Sequence, residues 1–582
     1  MKILGISLGH DSNLCLMENN EILEVFEAER FYKSKRYKLE ALEKNKNKYS
    51  TYQITKYSDL SEILDYIKNK WGGIYDAVAL QNQGRKSEEN QLINILNDLG
   101  FKYKNFDNHN HHLSHAASSY FTSPFEDSLI LSFDGMGNDG STILFEAKNT
   151  NIRYLKKFGY KMGGCYNNIG YMIGLKPDIA GSTAGKLMGL SSYGKFIDKW
   201  EINIDKYIKQ YKKFFPTVPE NTLNDHGKYH RKNCIGIRDI SDLKEYLEIP
   251  KKVGNFRDLF RYFKKEVFIG DEKKEISHNL AKTVQDIWTK NVIQILEPYK
   301  NFSENLCIVG GCALNGIANF EIENKNFFRN IHYIPNPTDC GLSIGAAYLS
   351  SYKYGKIKKK INLKFLSPYL GSKPFDIEKL DEFKKKYNST ELNKENIFKY
   401  LSKIINQNYI VGVIRGRYEV GPRALGNRSI LCNPAHPDMK KILNEKVKKR
   451  EWYRPFAPVT TLNDSKKYFT NNGPIPYMSV ICYTKKEFRN VLPSITHVDG
   501  SARLQTVTEE SNLFLYNLIK EFEKISKYPI LLNTSFNPGG QPILNFCEVG
   551  LKMLDTTDLD FVLIEDTLFA SEKNKNLLKE LN

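Results

Sequence analysis

A chain of 582 residues is too long for one hydrophobic core, so two or three domains are expected. Apolar residues make up 41% and aromatics 12%, enough to bury substantial cores and to exclude a disordered chain as the starting point. The formal charge of +18 is carried in part by lysine-rich runs such as Lys206 to Lys213 and Lys356 to Lys360, which read as solvated faces and linkers rather than a nucleic-acid surface.

The start, Met1-Lys2-Ile3-Leu4-Gly5-Ile6, enters a strand pattern at once, without the apolar core and small-residue cleavage site of a signal peptide. No run approaches the roughly 18 apolar residues that cross a bilayer. A soluble, cytoplasmic protein with neither a membrane nor a nucleic-acid partner is expected. The nine cysteines include no C-x-x-C pair, which fits reduced thiols and argues against a cysteine metal cluster.

In chain order, a first strand is expected over Ile3 to Leu8, followed by the turn Gly9-His10-Asp11-Ser12 and a returning strand from Asn13 to Met17. Asn19-Asn20 then turns the chain into Ile22 to Phe26. Next comes His111-His112-Leu113-Ser114-His115. On a helix His111 and His115, four apart, share a face and can bind one divalent ion. A second strand-turn-strand unit runs from Ser128 to Phe133, through Asp134-Gly135-Met136-Gly137-Asn138-Asp139-Gly140, and back over Ser141 to Phe145. Asp134 in that turn and Asp339 in Pro337-Thr338-Asp339-Cys340-Gly341 are the candidate carboxylate ligands. A nitrogen and oxygen set without thiolate suits Fe(II), Mn(II) or Zn(II).

The segment Ser277 to Leu296 reads as a helix from the spacing of Leu280, Val284, Ile287, Val292 and Leu296, with Ser277 as N-cap. Leu306 to Val309 reads as a strand entering the glycine turn Gly310-Gly311 and then a helix, whose N-terminus favours anions. Three glycine turns after buried strands suggest a nucleotide clasped between two similar lobes.

Around Tyr352 to Pro368 the composition turns to lysine, and a domain boundary is placed after residue 360. Beyond it strands (Ile410 to Ile414, Ile530 to Leu532, Phe561 to Ile564) and helices (Met439 to Lys449, Asn512 to Lys524) form a second α/β unit. Its chemistry is concentrated in Arg415, Arg417, Arg423 and Arg428, four arginines within 14 residues broken by glycines. Arginine grips phosphate or carboxylate with a planar fork, so an anion site is expected. Lys448 and Arg454 follow, then Arg503 and Gln505 on one expected strand face, then Asn533 and Ser535 at a strand's carboxyl end, where open α/β sheets hold ligands.

Several of these stretches, in order, resemble the carbamoyltransferases of nodulation-factor and antibiotic tailoring. They are Glu27-Ala28-Glu29-Arg30-Phe31, His111-His112-Leu113-Ser114-His115-Ala116, Gly185-Lys186-Leu187-Met188-Gly189-Leu190, Gly421-Pro422-Arg423-Ala424-Leu425-Gly426-Asn427-Arg428-Ser429, Arg454-Pro455-Phe456-Ala457-Pro458, His497-Val498-Asp499-Gly500 and Asn533-Thr534-Ser535-Phe536-Asn537. The resemblance implies an α/β architecture: an actin/Hsp70-like (ASKHA) duplicated ATPase domain over residues 1–360 and a YrdC-like domain over 361–582. It implies formation of carbamoyl-adenylate from carbamoyl phosphate and ATP in the second domain. The carbamoyl group would then pass to a hydroxyl of a small molecule, such as a sugar, at a metal site in the first.

On this resemblance His111, His115, Asp134 and Asp339 are metal ligands, with Fe(II) the first expectation and Mn(II) or Zn(II) the others, and Mg accompanying ATP. Arg423, Lys448, Arg454, Arg503, Asn533 and Ser535 form the adenylate site, and Gly310, Gly311 and Asn315 lie at the nucleotide in the first domain. His10 or Asp11 is a candidate general base for the acceptor hydroxyl. Two places depart from the family pattern, the Ala28 inserted in Glu27-Ala28-Glu29-Arg30 and Ser191-Ser192 where Ala-Pro is usual, so the acceptor stays open. The alternatives are a tRNA-modifying transferase, a hydrogenase-maturation carbamoyltransferase, which would carry C-x-x-C pairs, and a nucleotide-gated binding module.

Overall fold

The computed structural model describes residues 1–39, 57–82, 84–160, 162–177, 182–209, 273–355, 366–393 and 396–579. Most of the two lysine runs, and the boundary expected after residue 360, lie outside them. The chain divides into two compact units. One comprises Met1–Leu23 and Arg36–Phe365, the other Glu24–Lys35 and Leu366–Asn582. The second unit therefore includes a short piece from the beginning of the chain, a detail that no compositional shift signals.

The first unit is built on two sheets of the same design. In the first, β1 (Lys2–Ser7), β2 (Asn13–Glu18), β3 (Glu21–Glu27), β4 (Ile74–Gln81) and β5 (Lys102–Asn108) lie in the order β3-β2-β1-β4-β5. In the second, β6 (Asp127–Gly137), β7 (Gly140–Lys148), β8 (Asn151–Phe158), β9 (Asn305–Val309) and β10 (Asn330–His332) lie in the order β8-β7-β6-β9-β10. In each, the opening strand pairs antiparallel with the second and parallel with the fourth, which pairs parallel with the fifth. Equivalent strands thus occupy equivalent places. This is the duplicated actin/Hsp70-like arrangement that the resemblance implies.

Ile3, Leu4, Ile6, Leu129, Ile130, Leu131 and Phe133 are fully buried, as expected of strands covered on both faces. The helix Glu275–Leu296 buries Leu280, Val284, Ile287, Val292 and Leu296 as their spacing predicts. It starts two residues before the expected Ser277, with Lys274 at the N-cap and Glu275 in the first turn, where an acidic side chain complements the helix dipole. Ser277 is buried in that turn and its hydroxyl has no partner, so it caps nothing.

The second unit carries an eight-stranded mixed sheet. Its strands are β11 (Ser389–Glu391), β12 (Val411–Ile414), β13 (Arg428–Cys432), β14 (Ala457–Thr461), β17 (Gln505–Val507), β18 (Ile530–Ser535), β19 (Phe561–Ile564) and β20 (Thr567–Ala570), ordered β11-β20-β19-β12-β13-β18-β14-β17. A separate ribbon pairs β15 (Cys482–Tyr483) with β16 (Ser501–Ala502). Helices Ile397–Asn406 and Leu513–Ser526 cover one face through Leu401, Ile405, Leu515, Leu518 and Phe522 against Val413, Leu431, Leu531 and Phe561. Asn512 caps the second of these helices through Leu515 N–H.

Two expectations are corrected here. Arg503 and Gln505 do not share one strand, because Arg503 lies between β16 and β17. The helix expected over Met439 to Lys449 is α-helical only over Met439–Ile442. It widens into a π turn at Leu443–Val447 and stops at Lys449, whose φ is +46°. Lys448 N–H reaches Leu443 O, so the backbone is re-aimed just where the cationic residues follow. No helix among the described residues is long and apolar enough to cross a membrane.

Candidate metal centre and anion site

In the first unit, chemistry-bearing residues collect beyond the carboxyl ends of the strands. The helix His111–Thr122 begins shortly after β5 and buries both His111 and His115 completely. Asp134 lies in β6, where the pairing jumps from Phe133↔Thr142 to Gly137↔Gly140. The bulge pushes Asp134 out of the ladder and re-aims its side chain. Asp339 opens a short 3-10 turn, Asp339–Gly341, ahead of the helix Leu342–Gly355.

Ligand atoms of His111, His115, Asp134 and Asp339 all lie within 4.8 Å of one another. His115 Nε2 stands 3.3 Å from Asp134 Oδ2 and 3.4 Å from Asp339 Oδ1, and His111 Nε2 lies 3.9 and 3.7 Å from the same oxygens. Neither ring's nitrogens have a hydrogen-bond partner. Donors of one ion at about 2.0–2.2 Å stand roughly 3–3.5 Å apart, so this spacing fits a shared cation, and buried orphan imidazole nitrogens are what such a site leaves without one.

The electrostatics agree. Burial opposes charge on His115, but the Asp134 and Asp339 carboxylates outweigh it and raise its pKa to about 9. Burial likewise opposes ionisation of Asp134, yet His111 and His115 hold it well below the ordinary carboxylate range. Two carboxylates beside buried imidazoles, Asp339 buried and Asp134 partly so, call for a cation.

His10 and Asp11 border this cluster. His10 Nε2 is 3.4 Å from Asp339 Oδ2 and its Nδ1 is 2.9 Å from Asp11 Oδ2, while its side chain is 39% exposed. Asn13, fully buried, ties the neighbourhood together. Its amide donates to Asp11 O at 2.7 Å and to Asp339 O at 2.8 Å, and its oxygen accepts from Ser343 N–H.

The second unit gathers cations. Burial, then Arg454, brings the Arg423 pKa down to about 10, and its Nε has no hydrogen-bond partner. Lys448, Arg450 and Arg503 are depressed well below their ordinary values, by burial first, and then Lys448 by Arg450, Lys35 and Arg454, and Arg450 and Arg503 by Arg423 and Arg454. Lys448 Nζ donates to Ser535 O, Asn537 O and Asn537 Oδ1 at 2.6, 3.1 and 2.6 Å. Arg450 is held by Asn444 Oδ1 at 2.8 Å and lies over the Phe456 ring at 4.6 Å. Cations that repel and desolvate one another are a preformed seat for a polyanion.

Residues 2–348 match the family described as carbamoyltransferase N-terminus, and residues 402–571 match carbamoyltransferase C-terminus. The chain belongs to the carbamoyltransferase family. A protein of Synechocystis sp. described as uncharacterized is 30% identical over 79% of this chain and 75% of its own length. Nodulation protein NolO of Bradyrhizobium diazoefficiens is 30% identical over 78% of this chain and 77% of its own. Nodulation protein U of Azorhizobium caulinodans is 27% identical over 93% and 94%.

As a carbamoyltransferase, the chain brings together the four expected metal ligands and, in its other unit, Arg423, Lys448, Arg454 and Arg503. Other expected residues are engaged elsewhere. Asn315 caps the helix Gly316–Asn324 and exchanges two hydrogen bonds of 3.1 Å with Gln285, so its side chain is tied into the protein rather than offered to a nucleotide. Gly311 N–H donates to Asp134 Oδ2 at 3.0 Å, so the Gly310-Gly311 turn braces the metal cluster. Asn533 Nδ2 donates to Ala424 O and Gln505 Oε1, leaving its buried Oδ1 unpartnered.

Among the described residues, Arg423 is the one of the four clustered arginines with a buried nitrogen that has no hydrogen-bond partner. Arg428 is fully buried and donates to Arg415 O, Asn427 O, Gly416 O and Asn545 Oδ1. Arg417 donates to Gly371 O and Leu370 O, and Arg415 to Asp566. Sequence reasoning missed Arg450 and Asn13 as site residues. The basic run Lys448-Lys449-Arg450 hints at the first, and nothing local hints at the second.

Proposed function

We propose that this carbamoyltransferase makes carbamoyl-adenylate in its second unit: water cleaves carbamoyl phosphate to carbamate and inorganic phosphate, and a carbamate oxygen then attacks the α-phosphorus of ATP and displaces pyrophosphate. The carbamoyl group is then transferred in the first unit to a hydroxyl of a small molecule. The observation that carries this reading is the gathering of Arg423, Lys448, Arg450, Arg454 and Arg503 in one unit, where burial and mutual repulsion depress Arg423, Lys448, Arg450 and Arg503. Two polyanions repel in water. A site that supplies several fixed positive charges holds them in reacting range and stabilises charge on the departing pyrophosphate.

The buried group His111, His115, Asp134 and Asp339 supports the second step. These residues would hold a divalent ion, which would supply Lewis-acid chemistry for the transfer. Nitrogen and oxygen ligands favour Fe(II), Mn(II) or Zn(II), and family resemblance favours Fe(II). His10 or Asp11, hydrogen-bonded to each other at 2.9 Å, would take the proton of the attacking hydroxyl; against the effect of burial, Asp339 and Asp11 raise the His10 pKa to about 9, so His10 would first have to give up its own proton. Asn13 fixes the loop of Asp11 relative to that of Asp339.

The deciding experiment measures carbamoyl phosphate-dependent exchange of labelled pyrophosphate into ATP by the purified protein. Exchange in the absence of any acceptor supports the two-step route. Its absence, with intact folding and with metal present, would overturn it.

A further inference from the structure

The loop that carries Arg423 does not hold itself in place. Gly421 sits at φ +96°, and its peptide is gripped from both sides. Its N–H donates to Glu27 Oε1 at 2.7 Å, and its carbonyl accepts from Arg30 Nη2 at 3.0 Å. The same Arg30 nitrogen reaches Glu419 O at 2.7 Å, and Arg30 Nε pairs with Glu27. The Arg30 guanidinium lies over the Tyr418 ring at 4.5 Å, and the Tyr418 hydroxyl in turn donates to Val25 O at 2.9 Å. On the far side of Arg423, Ala424 O accepts from Asn533 Nδ2 at 3.1 Å, and Leu425 N–H donates to Glu419 Oε1 at 2.6 Å.

Glu27 and Arg30 are both buried, Arg30 almost wholly. A buried ion pair adds little net stability, because desolvation offsets most of the attraction. Its use here is geometric. The Glu27 carboxylate fixes the peptide group before Gly421 and Arg30 Nη2 the one after it, while Arg30 Nε ties the two clamping side chains together, two residues before the guanidinium that the proposed reaction needs.

We propose that Glu27 and Arg30, from the beginning of the chain, are positioning residues that clamp Gly421 and so aim Arg423 at the anion. This rests on the reading of Arg423 as an anion-binding residue. The adenylating unit is then incomplete without residues that lie far upstream in sequence, and its anion affinity is set in part by them.

The test is a double-mutant cycle on the full chain, with inorganic pyrophosphate as the probe and calorimetric affinity as the readout, well below the melting temperature of every variant. Arg30→Lys keeps the charge but loses the fork. It is expected to weaken binding roughly tenfold in the wild-type background and hardly at all when Arg423 is already Lys. A purely structural role would give the same loss in both backgrounds, or none, and either result overturns the proposal. Should R30K fail to accumulate folded, Glu27→Gln takes its place in the same cycle with the same outcomes. A wild-type protein that binds no pyrophosphate would remove the underlying anion-site reading, and this proposal with it.

Discussion

The backbone N–H of Gly311 donates to Asp134 Oδ2 at 3.0 Å, so the turn after β9 steadies a side chain from its neighbour β6. Gly310 sets this up at φ +96°, and a Cβ there would meet Phe133 O at 2.2 Å.

These two glycines should therefore separate when mutated. Gly311→Pro removes the N–H at the first position of a 3-10 turn, where proline is tolerated. It should lower metal affinity roughly 10–100-fold with the fold retained, as loss of an outer-shell partner usually does. Gly310→Ala should instead cost about 2 kcal/mol or more of stability. Metal titration and denaturant melts check the pair.

His115→Ala should abolish bound metal and carbamoyl transfer while leaving pyrophosphate exchange intact, because His115 lies in the first unit and exchange is assigned to the second. Elemental analysis and the two half-reaction assays read this directly. Intact transfer in H115A would contradict the metal role.

Arg423 and Arg428, five residues apart in one motif, should fail differently. Arg423→Ala should leave melting near wild type and abolish exchange. Arg428→Met strands several buried carbonyl acceptors and should cost about 3 kcal/mol or more. Comparing melting curves with exchange rates distinguishes them.

The cations of the second unit also predict a ligand effect. Lys448 has a folded pKa below its unfolded value, so its charge penalises folding fully below the folded pKa. The penalty fades as pH rises towards the unfolded one. At neutral pH, well below the unfolded value, a penalty persists, and a polyanion should relieve it. Inorganic pyrophosphate is expected to raise the melting temperature by several degrees at pH 7 and less at high salt. An unchanged melting curve at saturating pyrophosphate would contradict this.

Much of the site was legible along the chain because its signals are local. Four-residue spacing places His111 and His115 on one helix face, and a strand followed by Asp-Gly marks Asp134. The paired glycine turns announce two alike sheets. What the linear pattern could not separate was arginine from arginine. Arg415, Arg417, Arg423 and Arg428 look equivalent in a string, but three of them spend donors on protein acceptors while an Arg423 nitrogen has no partner.

The sequence by itself determined the α/β class and the kinds of ligand atom present, since periodicity and residue chemistry need no partner from afar, and its motifs carried the family resemblance. Only the tertiary structure decided which of those atoms meet. Asn13 bonds a residue 326 positions away, Glu27 one 394 positions away, and Asn315 is drawn into a buried amide pair. Hydrogen bonds act over about 3 Å, and chain separation carries no record of which groups folding will bring that close.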